Sequence, residues 1–231
     1  MKALIYKEFK LAMHPICYIF IALFPLMVLI PETGYPRCIP FIYILTCYPV
    51  LFLGANKGQQ SNDLLYSTLL PIRKKDIVLA RIITVFILQF SSMLLMSCLV
   101  PLAFVIHDLI PAEATASSPN IPIGLGLNAF VLLLAIAIVG FSLADLIFFP
   151  IYYKNGKSIV MSTLLMILGF VLYLAIFTII IPFVIDPECK TVNSVPIWIQ
   201  FIALFASLII YALLHLLVYK ISAKRLEKVD F

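Results

Sequence analysis

The sequence predicts an all-α integral membrane protein with six transmembrane helices and one amphipathic helix on the membrane surface before them. The chain has a mean hydropathy of +1.14, and 64% of its 231 residues are hydrophobic. Only 12% are charged, whereas a soluble domain carries about 25%. Short polar segments separate six apolar stretches, so we interpret residues 1–231 as a single transmembrane domain. Because lipid offers the backbone no hydrogen-bond partners, each span must be helical.

The N-terminal segment, residues 1–13, has the pattern of a helix that lies flat on the inner leaflet. Apolar residues alternate with lysines at helical spacing, and Pro15 interrupts the helix where the first span begins. A plain cytoplasmic extension of that span is the alternative. The basic start also resembles a signal peptide, but no small-residue cleavage site follows, so we expect the segment to be retained. The apolar set is Ala3, Leu4, Ile5, Phe9 and Met13, between Lys2, Lys7 and Lys10.

Six apolar stretches approach or exceed the roughly 20 residues that a helix needs to cross the hydrocarbon. The second is short and must stand nearly upright or thin the bilayer. The third is longer than a span needs, so its first turn is expected at the membrane interface with Arg81 snorkelling to the headgroups. The predicted spans are 11–30, 39–55, 77–106, 123–149, 158–185 and 196–219.

The distribution of cations predicts the orientation of the chain. With the N-terminus inside, the inner segments hold 14 of the 16 Lys and Arg residues, and only Arg37 and Lys190 face outward. This asymmetry follows the positive-inside rule and predicts a multi-pass protein of the cell membrane with both termini in the cytoplasm. The net charge of +5 is therefore a topology signal, and it does not indicate a nucleic-acid partner.

Motifs for catalysis or cofactor binding are missing from the sequence. It contains no phosphate-binding P-loop, no zinc-protease motif, no nucleophile elbow and no Cys-x-x-Cys pair. We therefore expect no catalytic residue, no metal and no cofactor on this chain. If it moves a substrate uphill, the energy comes from another subunit; an intramembrane enzyme and an ion-gradient-driven secondary transporter are the alternatives.

Asp145 is the carboxylate that lies clearly inside a predicted span. It is expected about one turn from the cytoplasmic end of the fourth helix, paired with Lys154 or Lys157. Such residues in lipid are costly and are usually functional. A carrier driven by an ion gradient would normally show mid-membrane carboxylates or broken helices. The predicted spans of this sequence contain fewer ionisable residues than such a carrier would.

Two inner segments, residues 56–76 and 150–157, have the composition of a docking surface. In the first, an apolar stripe at helical spacing follows Asp63 and ends at Pro71. Three cations come next, and Asp76 is expected to be the N-cap of the third span. This short helix fits either a groove on a cytoplasmic partner or the lipid interface. The stripe consists of Leu64, Leu65, Thr68, Leu69 and Ile72.

The segment Leu70–Arg81, LPIRKKDIVLAR, resembles the segment between the second and third spans of ABC-2-type exporter permeases. The preceding Asp63-x-x-Tyr66, the PIYYKNG segment at 150–156 and the charged C-terminal tail are similar to that family as well. The nearest group is the small Gram-positive permeases that include the phenol-soluble-modulin peptide exporters. The resemblance covers nearly the whole chain and implies a fold like that of type V ABC exporters.

The resemblance also implies partners and site residues. Two permease copies, or this chain and a paralogue, would sit above a cytoplasmic ABC ATPase dimer that binds ATP and Mg²⁺. The residues that would contact and couple to the ATPase are Asp63, Tyr66, Leu69, Arg73, Lys74 and Asp76 in the first segment, and Tyr152, Lys154, Asn155 and Gly156 in the second.

The cargo is weakly constrained. Few charges in the spans suit a hydrophobic or amphipathic cargo, and a cationic peptide fits best with the acidic outer loops. Gln89 and Ser92 of the third span and Asn128 of the fourth either line the cargo path or hold helices together. Cys38 and Cys189 are both predicted outside, where a disulfide between them can form.

Overall fold

The computed structural model describes residues 2–12, 23–29, 72–109, 130–155, 159–184 and 195–228. Within these ranges every regular element is a helix, which confirms the all-α prediction. The N-terminal helix, α1, is α-helical over Lys2–Lys7 and π-helical over Glu8–Ala12, and a 3₁₀ helix covers Phe24–Leu29. Four long helices follow: α2 (Lys74–Leu109), α3 (Phe130–Asn155), α4 (Ile159–Val184) and α5 (Ile197–Glu227).

The long helices match the last four predicted spans with shifted ends. Three of them, α2, α3 and α5, are long and apolar enough to cross a membrane, and Val160–Ile176 within α4 is a shorter apolar helix. The predicted second inner segment at 150–157 is helical as far as Asn155, because α3 continues through Pro150. The first two predicted spans lie largely outside the described residues.

Helix α3 forms the centre of the described bundle. It packs against α5 on one side and α4 on another, while α2 packs against α5, the 3₁₀ helix and α1. Contacts join the start of α2 to the ends of α3 and α5: Arg81 reaches Tyr152, and Lys75 reaches Glu227. The helices α3 and α5 therefore run antiparallel to α2. We call this common end of the bundle the basic end.

Helices α3 and α4 approach each other closely through glycines. A Cβ atom on Gly140 would lie 2.7 Å from Phe170 Cε2, and one on Gly169 would overlap Ile147. Tyr173 of α4 adds a hydrogen bond of 3.0 Å to the Ile136 carbonyl of α3. Small residues that let backbones approach in this way are typical of helix pairs in lipid, where no hydrophobic force draws helices together.

Helix α5 buries a narrow stripe and exposes large apolar side chains elsewhere. The exposed set includes Trp198, Phe201, Phe205 and Leu213. An apolar surface of this extent is compatible with lipid rather than water as the surrounding solvent. The buried stripe is made of Gln200, Ser207, Tyr211, Val218, Ser222, Ala223 and Leu226.

Candidate functional site

A buried ion pair joins α1 to α2 at the basic end. Arg81 Nε donates to Glu8 Oε2 at 3.1 Å, and the two side chains are only 3% and 1% exposed. Arg81 Nη1 also donates to the Tyr152 hydroxyl at 2.9 Å, and the guanidinium carbon lies 5.7 Å from the centre of that ring. We call Glu8, Arg81 and Tyr152 the inner-end cluster. It ties three helices together through one guanidinium, whose fixed fork of donors suits several acceptors at once.

The expectation that Arg81 snorkels to the headgroups is wrong. Its side chain is buried against α1 and α3, and the charge is compensated by Glu8. Removing both charges from water is costly, and the arrangement is stable only with close pairing and further hydrogen bonds. Glu8 supplies the close ion pair, and Tyr152 supplies the further hydrogen bond. Glu8 is the single carboxylate of α1, and its i+4 spacing from Leu4 places both residues on one face of that helix. Leu4 is buried, so this spacing was the sequence signal that could have identified Glu8 as the partner of Arg81.

Two further contacts hold the basic end together. Lys75 Nζ lies 3.2 Å from Glu227 Oε1, with both side chains about half exposed. Arg225 Nη1 donates to the Pro150 carbonyl oxygen at 2.7 Å. The last turn of α5 also carries Lys224, whose charge complements the negative end of the helix dipole. The start of α2 and the ends of α3 and α5 therefore form one connected unit.

The structure describes some of the predicted coupling residues and leaves others outside its ranges. Arg73 is exposed immediately before α2, and Lys74 is the first residue of that helix. Asp76 is not the N-cap: its N–H donates to the Arg73 carbonyl at 2.9 Å, which places Arg73 at the cap and Asp76 in the first turn. A carboxylate there still complements the helix dipole.

The second coupling segment lies at the end of α3. Tyr152 is half-buried against Arg81, Lys154 is exposed, and Asn155 is the last residue of the helix. The remaining predicted coupling residues lie outside the described residues: Asp63, Tyr66, Leu69 and Gly156. The assignment of these ten residues to ATPase coupling stays a prediction.

A second polar group crosses the bundle inside the spans. Tyr211 of α5 donates its hydroxyl hydrogen to Gln89 Oε1 of α2 at 2.6 Å, and Gln89 Nε2 donates to Asp145 Oδ2 of α3 at 3.1 Å. His215, one turn after Tyr211, places Nε2 3.1 Å from the same Oδ2. The distance is that of an ion pair, although the atoms lack the alignment of a directed hydrogen bond. We call Gln89, Asp145, Tyr211 and His215 the buried polar network.

The predicted pairing of Asp145 with Lys154 is wrong. Asp145 is fully buried and contacts Gln89 and His215, whereas Lys154 is exposed. Nine residues of helix separate the two, about 13 Å along the axis, so Lys154 cannot reach the carboxylate. Lys157 lies outside the described residues. Because α3 extends to Asn155, Asp145 also lies deeper than one turn from the helix end.

His215 and Tyr211 are the polar partners that sequence reasoning missed. They are spaced i, i+4 on α5 and therefore share a face. A buried carboxylate requires a compensating partner, and this rule could have directed attention to the polar face of the last span. The ring of Phe86 packs edge-on against the imidazole at 6.5 Å between centres.

The structure describes two of the three residues that were predicted for the cargo path. Gln89 and Ser92 are buried within the bundle, and Gln89 connects α2 to both α3 and α5. Asn128 lies outside the described residues, as do Cys38 and Cys189, so the path and the disulfide stay predictions. Cys98 is an exposed free thiol on α2.

Comparison with known proteins identifies the family. The chain matches the family described as ABC-2 family transporter protein over residues 3–226. No curated protein and no solved structure matches it. Members of the matched family are generally non-catalytic membrane subunits of transporters and normally work with an ATPase partner. The match includes every long helix and both polar groups described above, and the chain therefore belongs to the ABC-2 family of transporter proteins.

Proposed function

We propose that this chain is the transmembrane subunit of an ATP-driven exporter and that a separate cytoplasmic ATPase dimer supplies the energy. The observation that carries the proposal is the inner-end cluster. Arg81 lies two turns after the exposed basic start of α2 and contacts α1 and α3 at once. A force applied by a partner to residues 63–76 would therefore move three helices together.

The coupling surface in this proposal joins both inner segments. Arg73 precedes α2, Lys74 opens it, and Lys154 lies in the last turn of α3, so that the described part of each segment lies at the basic end. Two permease copies, or this chain and a paralogue, would share one ATPase dimer, which would hold ATP and Mg²⁺. In the cell membrane, the positive-inside rule would place the basic end and both termini in the cytoplasm.

The proposed cargo is a hydrophobic or amphipathic molecule, with a cationic peptide as the best candidate. Among the described residues, the ionisable side chains buried inside the bundle are paired, Glu8 with Arg81 and Asp145 with His215. A path without free charge favours apolar surfaces over hydrated ions. A peptide is also what the resemblance of the sequence motifs to phenol-soluble-modulin exporters would imply, and export of a lipophilic dye but no peptide would contradict that choice.

The coupling proposal is tested with the charge-reversal pair Arg73→Glu and Lys74→Glu. The wild-type chain is purified from its native membrane with its bound ATPase, and the variant is compared for copurification and for ATP hydrolysis. We expect loss of the complex, or at least a tenfold loss of cargo-stimulated hydrolysis, because a hot-spot charge pair is worth more than about 1.4 kcal/mol.

A matched control is Lys220→Glu with Lys224→Glu. These lysines are also exposed near the basic end, on α5, but lie outside the proposed coupling surface. The control keeps the same change in net charge, so assembly and hydrolysis should remain close to wild type. Unchanged coupling in the Arg73 and Lys74 variant, or equal loss in the control, would contradict the assignment.

An ion-gradient-driven secondary transporter is the second candidate, because Asp145 lies deep inside the bundle next to His215. Intramembrane carboxylates of this kind mark ion pathways in many carriers. Reconstituted vesicles separate the two functions. Export that continues after ionophores collapse the ion gradient, but stops without ATP, excludes the secondary transporter.

A further inference from the structure

The position of the proton on His215 follows from its contact with its own helix. His215 Nδ1 lies 3.0 Å from the Tyr211 carbonyl oxygen. A carbonyl oxygen can only accept a hydrogen bond, so this contact assigns a hydrogen to Nδ1. The second ring nitrogen, Nε2, is the atom that faces Asp145 Oδ2 at 3.1 Å. The charges of the two side chains therefore depend on whether Nε2 or the carboxylate carries a further hydrogen.

Four proton arrangements are conceivable, and two of them leave a buried net charge; one of these two is an imidazolium that faces a carboxylic acid. With a hydrogen on Nε2, an imidazolium faces a carboxylate; with it on Oδ2, a carboxylic acid faces a neutral imidazole. Without that hydrogen, the lone pair of Nε2 faces an ionised Asp145 that is fully buried. An uncompensated charge inside the bundle is strongly unfavourable, so the pair must keep one proton.

The surroundings provide no other compensation for Asp145 among the described residues. Gln89 donates one neutral hydrogen bond to Oδ2, and Oδ1 has no hydrogen-bond partner. The hydroxyl of Tyr211 is directed to Gln89 instead.

Within the helices that the structure describes, the other elements packed nearby bring no further charge. From α2, Ser92 and the ring of Phe86 are neutral. Helix α4 carries no Asp, Glu, Lys, Arg or His over Ile159–Val184. The other buried charges at the basic end, Arg81 and Glu8, neutralise each other.

We propose that Asp145 and His215 form a proton-binding site inside the membrane span, which holds one proton, on either His215 Nε2 or the Asp145 carboxylate, at neutral pH. Its ligand is the proton itself, and its place is the contact between α3 and α5. The inference goes beyond ATP-driven export, because the site would exist in the chain without any ATPase.

The position of this proton also affects how α5 can separate from α3 inside the spans. Separating an imidazolium from a carboxylate would expose two opposite charges to a low-dielectric interior. If the proton first moves to the carboxylate, the Nε2–H bond breaks, its electron pair stays on Nε2, and an O–H bond forms at Oδ2. Both partners are then neutral, and the Tyr211–Gln89 hydrogen bond still links α5 to α2 inside the spans.

The test is nitrogen NMR of the full chain in lipid nanodiscs with ¹⁵N-labelled histidine. The sequence has three histidines, and the resonance missing from a His215→Gln variant identifies His215. Infrared difference spectra against Asp145→Asn report a protonated carboxyl group. At neutral pH we expect either an imidazolium at His215 or a carboxylic acid at Asp145.

The Asp145→Asn variant gives the sharpest comparison. Once the carboxylate is replaced by an amide, an imidazolium would be an unpaired buried charge, so we expect its signal to disappear and the neutral Nδ1–H form to remain. Ser207→Ala is the control, because this buried serine of α5 bonds only to its own helix at Leu204. It should leave the His215 resonance unchanged.

Two results would overturn the proposal. One is a neutral imidazole together with an ionised Asp145 in the wild type at neutral pH. The other is an imidazolium that persists unchanged in Asp145→Asn, which would place the proton under the control of another group. The first point is decided on the wild type, from the His215 resonance assigned with His215→Gln and from the presence or absence of a protonated-carboxyl band in its infrared spectrum, so the test survives if Asp145→Asn fails to fold. Because no ATPase is present, failure here leaves the exporter proposal standing.

Discussion

Single ionisable residues show the largest difference between what the sequence indicates and what the structure contains. Arg81 and Asp145 were both visible as unusual residues in apolar stretches, and both acquire partners about 70 residues away, Glu8 and His215. Helical periodicity relates residues within about one turn and carries no information on such distant pairs. The need for a partner could be predicted from burial energetics, but the identity of the partner required the tertiary fold.

Breaking the inner-end cluster should be costly in proportion to its burial. Arg81→Gln leaves the Glu8 carboxylate buried without its counter-ion, and we expect a loss of about 3 kcal/mol or more in the free energy of unfolding. The double variant Glu8→Gln with Arg81→Gln has no buried charge and should recover at least half of that loss. Denaturant titration in nanodiscs measures each step.

The exposed ion pair at the same end is the matched control for this cycle. Lys75 and Glu227 lie at a similar distance, 3.2 Å, but remain about half exposed to solvent. Lys75→Gln should therefore change the unfolding free energy by less than about 1 kcal/mol. Equal losses for Arg81→Gln and Lys75→Gln would mean that burial of the first pair does not determine its contribution.

At the scale of helices, the length of each apolar stretch predicted correctly that a helix is present, but it predicted less accurately where the helix ends. The last span was predicted to end at residue 219, yet α5 continues to Glu227. Its tail is polar on the outside but buries Ser222 and Leu226, so packing extends the helix beyond the hydrocarbon. Helix α3 similarly passes Pro150, whose missing N–H costs one hydrogen bond, while Arg225 contacts the proline's own carbonyl.

The glycine contact between α3 and α4 gives a prediction about helix packing. Gly140→Leu would drive a side chain into the ring of Phe170, since even a Cβ atom lies 2.7 Å from Phe170 Cε2. Overpacking of this kind costs about 1–3 kcal/mol, which exceeds the gain of about 1 kcal/mol in helix propensity. Thermal unfolding in nanodiscs should therefore shift to a lower temperature.

Two comparisons show whether the close approach causes that shift. Adding Phe170→Ala to Gly140→Leu opens space at the contact and should restore part of the lost stability. Ala212→Leu makes a similar enlargement on the exposed surface of α5 and should have little effect. If Ala212→Leu is as destabilising as Gly140→Leu, added volume alone rather than the α3–α4 contact is responsible.

For the whole molecule, the contacts at the basic end establish the relative direction of the helices. The start of α2 meets the ends of α3 and α5, and α4 begins four residues after α3 ends. The four long helices therefore alternate in direction, which agrees with the alternation of inner and outer segments predicted from the cation count. The 31 residues of α5 extend about 46 Å, more than the roughly 30 Å hydrocarbon thickness, so both ends can reach water.

The orientation of the bundle in the membrane is testable with single cysteines on α5 in a background without native cysteines. Trp198 and Lys224 are exposed near its two ends. If the basic end is cytoplasmic, a membrane-impermeant maleimide should label Trp198→Cys in intact right-side-out vesicles and Lys224→Cys only after permeabilisation. Ile209→Cys, exposed but central on the helix, should stay unlabelled in both cases because lipid covers it. The opposite pattern at the two ends would reverse the orientation and place the proposed ATPase surface outside the cell.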